Sequence, residues 1–310
     1  HYLTGFSEPD ALLVMIKTDS QKTVLFLREK DPLKETWEGR RLGVEKAPDT
    51  LHIDESFAIE QLDDEILTLI QGCDNLYFSF NELEDWSVLL SQWVKALKQQ
   101  VRQGVVAPTQ LCDLDEILHE ARLFKSSVEI EQLKQACQIS VAGHLAAMQS
   151  AIKADYEYQV QADLEAEFRR QGSPRVAFNS IVASGENACI LHYTENSSKI
   201  DKQALLLVDA GAEFDGYAGD ITTTFPASGR FNVAQAALYS LVLEAQQAVI
   251  KIIKPGIAYD EMHKTTLQIL TAGLVKLGLL EGQVEELIKK EACKRFFMHG
   301  TGHWLGRDVH

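Results

Sequence analysis

No stretch of this 310-residue chain holds the ~18 consecutive apolar residues that a membrane span requires. Cysteine is scarce and odd in number: Cys73, Cys112, Cys137, Cys189 and Cys293 show no paired spacing. That excludes a disulfide framework and suits reduced thiols in a cytoplasmic protein. Positive charge is also short, with 30 Lys and Arg against 45 Asp and Glu and a net charge of −15. Such a surface repels phosphate backbones and anionic lipids, so neither nucleic acid nor a membrane is expected as the main partner. There is no internal repeat and no low-complexity tract.

What is present is the make-up of a two-domain globular protein, with 45% apolar residues over a length that can bury a good core. Ala11 to Lys17 and Lys22 to Arg28 flank the polar Thr18-Asp-Ser-Gln21 and read as a hairpin. Amphipathic helices are expected near Phe57 to Leu69 and Leu83 to Val101, and Pro108 to Asp115 reads as a connection. A new unit opens at Ser126, where Ser126-x-x-Glu129 forms a capping box ahead of Ile130, Leu133 and Cys137. Val160, Leu164 and Phe168 mark the next helix, which Gly172 can end. Long helical patterns then run from Val233 to Ile253, stopped by Pro255-Gly256, and from Tyr259 to Leu279. The expected division is an α/β domain over residues 1–115 and an α+β domain over residues 116–310, the boundary falling in the 113–125 stretch.

The richest segment is Val208-Asp209-Ala-Gly-Ala-Glu-Phe-Asp-Gly-Tyr-Ala-Gly-Asp220, with ten residues between its outer acids. Asp209 closes the apolar run Ala204 to Val208, which reads as a buried strand. Asp215-Gly216 is a two-residue hairpin signal, because both residues tolerate positive φ. With those two at the apex, Asp209 faces Thr222, and Asp220 lies two residues further along on the same face. A turn shifted back by one residue on each side would instead put Asp209 directly opposite Asp220. Either register holds two acids roughly 4.5–8 Å apart on one face. A solvated edge is the competing reading, but Leu205 to Val208, Tyr217, Ile221 and Phe225 are too apolar for it. Paired acids entering a buried sheet need a cation, and a divalent metal is the simplest one.

Three of the nine histidines, His299, His303 and His310, fall within the last twelve residues. Gly300 and Gly302 between the first two argue for a loop. Imidazole with carboxylates points to a first-row metal with mixed oxygen and nitrogen ligation. A further histidine, His192, stands among the small and polar residues of Ser184 to Asn196. Alone, it reads more naturally as a satisfied core histidine than as a functional one.

Taken together, Ile190-Leu-His-Tyr-Thr-Glu-Asn196, Val208-Asp-Ala-Gly, Gly219-Asp220-Ile-Thr-Thr-Thr-Phe-Pro226 and Met298-His-Gly-Thr-Gly-His-Trp-Leu-Gly306 resemble the aminopeptidase P branch of the "pita-bread" metallopeptidases. The wider family includes prolidase, methionine aminopeptidase and creatinase. Tyr2-Leu-Thr-Gly-Phe-Ser-Glu-Pro9 and Trp37-Glu-Gly-Arg-Arg-Leu-Gly43 are similar to the bacterial type. The resemblance implies a small creatinase-type N-terminal domain followed by a pita-bread domain. It implies two divalent ions, Mn²⁺ by family habit, activating a hydroxide that cleaves after a residue preceding proline. Asp209 would chelate one ion, Asp220 would bridge both, and His303 would bind the other. His192 would touch substrate or steady the tetrahedral intermediate, with His299 on the substrate side and His310 beside the reaction. Trp37 would line a neighbouring copy's site in a homodimer or homotetramer, and the substrates would be peptides with proline in second place.

The same resemblance calls for two further glutamate ligands beyond His310 and for strands ahead of His1. The sequence therefore reads as one lacking its first strands and its C-terminal part, with an incomplete two-metal centre. A prolidase-like Xaa-Pro dipeptidase is the alternative within enzymes. A non-catalytic member that binds peptides or partners in the same cavity is the alternative outside them.

Overall fold

A computed structural model describes residues 1–310, which divide into two compact units, His1–Phe124 and Lys125–His310. The first unit contains β1 (Leu12–Lys17), β2 (Gln21–Leu27), α1 (Pro32–Glu38), α2 (Ala47–Leu51), β3 (Glu55–Ala58), α3 (Leu62–Ile70), β4 (Asn75–Phe78), α4 (Leu83–Gln99), β5 (Gln110–Asp113) and α5 (Asp115–Leu123). The hairpin β1–β2 forms as its turn residues imply, and β3 joins β2 in parallel. Strand β2 is buried on both faces: Val24 and Phe26 pack under α3 and α4, while Leu25 and Leu27 pack against Ala47 and Ile53.

The structure departs from two of the sequence expectations. Residues 55–58 are a strand, so the expected helix begins only at Leu62. Phe57 pairs with Phe26, and the two rings stack at 5.7 Å, an attraction that local periodicity does not contain. The expected connection over Pro108 to Asp115 includes β5, which pairs in parallel with β4. Helix α5 keeps company with the first unit: Asp115 accepts from the Ser79 hydroxyl and the Asn81 amide, and Tyr2 donates to the Ala121 carbonyl.

The second unit contains α6 (Ser127–Ala151), α7 (Glu157–Arg170), β6 (Arg175–Val176), β7 (Ile181–Ser184), β8 (Leu205–Ala210), β9 (Ala212–Phe214), β10 (Tyr217–Ala218), β11 (Ile221–Pro226), α8 (Val233–Ile252), α9 (Asp260–Lys276) and α10 (Val284–Lys289). The Ser126 hydroxyl accepts from Glu129 N, and the Glu129 carboxylate accepts from Ser126 N, so the capping box is formed as read. Val160, Leu164 and Phe168 are fully buried and face the core. They meet Ile139, Ala147 and Ala151 of α6 and Leu206, Val208 and Ala210 of β8. The sheet β7–β8–β11 is antiparallel throughout. One of its faces is consumed by α6 and α7. The other carries Ile181, Ala183, Leu207, Asp209 and Thr222, which the registers place side by side.

Candidate metal centre

The acid hairpin adopts the first of the two registers, with Thr222 opposite Asp209, and the shifted register is excluded. Asp215 and Gly216 sit at φ 48° and 80°, the left-handed pair that a type I′ turn demands. Tyr217 pairs with Phe214 above that turn, so one register runs the length of the hairpin. Between the two ladders the arms approach closely at Gly211 and Gly219. A Cβ on Gly211 would collide with the Gly219 carbonyl, and one on Gly219 would meet the Ala136 carbonyl. Ser140 Oγ fills the gap behind them, accepting from Ala212 N and donating toward the Gly219 carbonyl, each at 2.9 Å. Beside it His144 clamps the two strands. Its Nε2 faces the Ala210 carbonyl at 3.1 Å, and its Nδ1 meets the Thr223 hydroxyl at 2.9 Å. A carbonyl only accepts, so Nε2 carries the proton and Thr223 donates to Nδ1. Burial holds the His144 pKa below the ordinary histidine value.

On the open face Asp209 has one buried carboxylate oxygen, Oδ1, without any hydrogen-bond partner. Burial pushes its pKa up, hydrogen bonding to Thr222 opposes the shift, and the charge of Asp220 adds to it. His192 and His303 both lie within electrostatic reach of Asp209. His303 Nε2 stands 3.2 Å from Asp220 Oδ2, while its Nδ1 faces the Trp304 carbonyl at 2.9 Å. That carbonyl again fixes the proton on Nδ1, so a neutral His303 turns a lone pair toward a carboxylate oxygen. Two acceptors facing each other are repulsive unless a proton or a metal ion lies between them. A backbone carbonyl orienting the remote ring nitrogen is the usual support of a metal-bound histidine. Donors each about 2.1 Å from one ion, at right angles, are themselves ~3 Å apart. The donor set therefore fits a first-row divalent ion.

The structure does not, however, bring the three expected ligands together as a finished cage. No group of three His, Cys, Asp or Glu side chains converges closely enough to hold an ion by itself. Asp220 and His303 meet directly, and Asp209 stands beside them on the sheet. His310 lies edge-on to His303, with ring centroids 5.2 Å apart. His299 contacts Phe297 and lines a cavity of about 250 Å³ with Tyr259, Met262, His263, Met298 and Thr301. His192 is exposed, next to the buried Tyr193. Trp37 belongs to α1 of the first unit and is 89% exposed. Residues that the sequence reading did not single out also emerge, namely Ser140, His144, Glu157 and Tyr193. For Glu157 a signal existed in the polar spacing of α7.

Residues 131–310 match the model of Metallopeptidase family M24, and residues 1–77 match the aminopeptidase P N-terminal domain. The chain belongs to metallopeptidase family M24. It is 42% identical over 311 residues to the Xaa-Pro aminopeptidase of Escherichia coli K12, covering 100% of this chain and 70% of that one. The Xaa-Pro aminopeptidase of Haemophilus influenzae is 43% identical, with the same coverage. Among solved structures, Pseudomonas aeruginosa aminopeptidase PepP superposes with a TM-score of 0.97 at 45% identity, covering 100% of this chain and 70% of that one. A zinc-substituted E. coli aminopeptidase P in complex with product gives 0.97 at 41%, covering 100% and 71%. The chain thus joins an aminopeptidase P N-terminal domain to the pita-bread metallopeptidase domain. Membership of M24 brings dependence on divalent metal. No helix is long and apolar enough to cross a membrane.

Proposed function

We propose that this M24 chain serves the removal of an N-terminal residue that precedes proline, with two divalent ions, Mn²⁺ in first place. The observation that carries the reading is the open face of β8 and β11, where an unpartnered buried oxygen of Asp209 stands beside the Asp220–His303 pair. The names of the relatives, Xaa-Pro aminopeptidases over the whole of this chain, supply the substrate class. Asp209, Asp220 and His303 would hold the metal. Divalent ions at such a site supply Lewis acidity to the peptide carbonyl and acidify the attacking water.

The chain's own side chains do the rest. The Trp304 carbonyl keeps His303 Nε2 turned toward Asp220. His192, exposed and within electrostatic reach of Asp209, donates to the developing oxyanion or positions the peptide. His310 packs on the His303 ring and restricts it. His299 lines an apolar cavity suited to a substrate side chain. Trp37, too exposed to serve its own core, would line the site of a second copy in a homo-oligomer. Five unpaired cysteines suit a reducing, cytoplasmic setting.

The test is release of the N-terminal residue from an Xaa-Pro-Xaa tripeptide by the full-length protein, with and without Mn²⁺. Metal-dependent release supports the aminopeptidase. Cleavage of Xaa-Pro dipeptides alone would replace it with a prolidase-like dipeptidase, and silence with every first-row ion in a folded sample would leave a binding protein.

A further inference from the structure

Helix α7 carries a polar stripe, Glu157, Gln161 and Glu165, at the same i, i+4, i+8 spacing as its apolar one. Glu157 and Gln161 face the segment that leads from β7 through His192 to β8, while Glu165 accepts from Ser180 just ahead of β7. Glu157 is 0% exposed. Its Oε1 accepts from Ser184 N at 2.7 Å and Asn187 Nδ2 at 3.0 Å. Its Oε2 accepts from the Tyr193 hydroxyl at 2.8 Å and Ser198 N at 2.9 Å. All four partners are donors, and no cation pairs with the carboxylate. Glutamine could not replace it, since its amide nitrogen would meet the backbone N–H of Ser184 or of Ser198 whichever way it turned. The first turn of α7 adds the favourable end of the helix dipole.

One turn further along, Asn196, at φ 45°, donates to Gln161 Oε1 and to the Ser180 carbonyl and accepts from Val182 N. The segment is therefore pinned at 184 and 187, and again at 196 and 198. Between those pins, the Tyr193 ring packs on Ile181, Ala183 and Leu207, the sheet face that carries Asp209. His192 precedes that ring in the chain and makes no side-chain hydrogen bond of its own, so its position follows from Tyr193 and the backbone.

We propose that Glu157 is the positioning residue for His192: through Tyr193 it sets where the imidazole stands over the Asp209 face. This rests on the role given to His192 above. Tyr193→Phe keeps the ring and deletes one hydrogen bond; Glu157→Gln reverses a donor–acceptor match. In the Mn²⁺-loaded enzyme each should lower kcat on an Xaa-Pro-Xaa tripeptide by roughly tenfold to a hundredfold with little change in KM. Neither should lower it further once His192 is alanine. In the metal-free protein, the His192 ring signals in NMR should shift in Tyr193→Phe, a variant chosen because Glu157→Gln risks misfolding. Losses that multiply with His192→Ala, or His192 signals that do not move, would overturn the positioning role. An unchanged kcat in His192→Ala alone would overturn the role of His192 itself.

Discussion

Asp209 should make the metal-free protein less stable than it would be without its charge. Its buried Oδ1 has no partner, and a buried charged group left unsatisfied costs about 1–3 kcal/mol or more. Asp209→Asn preserves size and an oxygen for Thr222 while replacing an orphaned anion with a neutral amide. The amide N–H is itself unpartnered, so the gain should lie at the low end, about 1 kcal/mol. For a cooperative unit of this size that raises Tm by about 2–4 °C in chelator. Mn²⁺ should reverse the order. At a free concentration about a hundred times Kd, binding contributes about 2.7 kcal/mol, or roughly 5–11 °C, to the native protein and far less to the variant. Scanning calorimetry of both proteins, with EDTA and with Mn²⁺, should show the melting curves exchanging places. A variant that melts below the native protein in EDTA, or that gains as much from Mn²⁺, would refute the assignment of Asp209 as a charge held for a metal.

Two further outcomes follow from the same hairpin. His144 has a folded pKa below the unfolded value of 6.5 because it is buried. The unfolded chain therefore binds more protons, and the stability contributed by neutral His144 is present above pH 6.5 and lost as pH falls toward the folded value. Urea titrations should find His144→Gln destabilised most at neutral pH, with the gap to the native protein narrowing in acid; a constant gap would mean the histidine does not titrate on unfolding. Gly211→Ala must force its Cβ against the Gly219 carbonyl. It should cost about 1–3 kcal/mol and weaken Mn²⁺ binding in isothermal titration by separating the two acids; unaltered affinity would show that the close approach does not serve the site.

How much was legible depended on the range of the interaction. The turn at Asp215-Gly216 is local chemistry; it pointed to the register with Asp209 opposite Thr222 but left the shifted one open until the folded pairing excluded it. The capping box at Ser126 and the apolar stripe of α7 were equally local. Strands β3 and β5 were missed because each exists only by pairing with a strand elsewhere in the chain. Reading α7 for its apolar spacing alone also hid the Glu157 stripe, whose partners lie 27 to 41 residues away.

The site divides along the same line. That two aspartates and a histidine would suit a first-row metal was legible from residue types and spacing, whereas the choice of His303 was implied only by the family resemblance. Their spatial relation was not legible. Only the folded chain sets His303 against Asp220, places His299 in the lining of a cavity, and buries one oxygen of Asp209 without a partner. Side-chain chemistry and turn preference are written residue by residue, whereas burial and distance arise only when segments remote in sequence share one sheet face and exclude water from it.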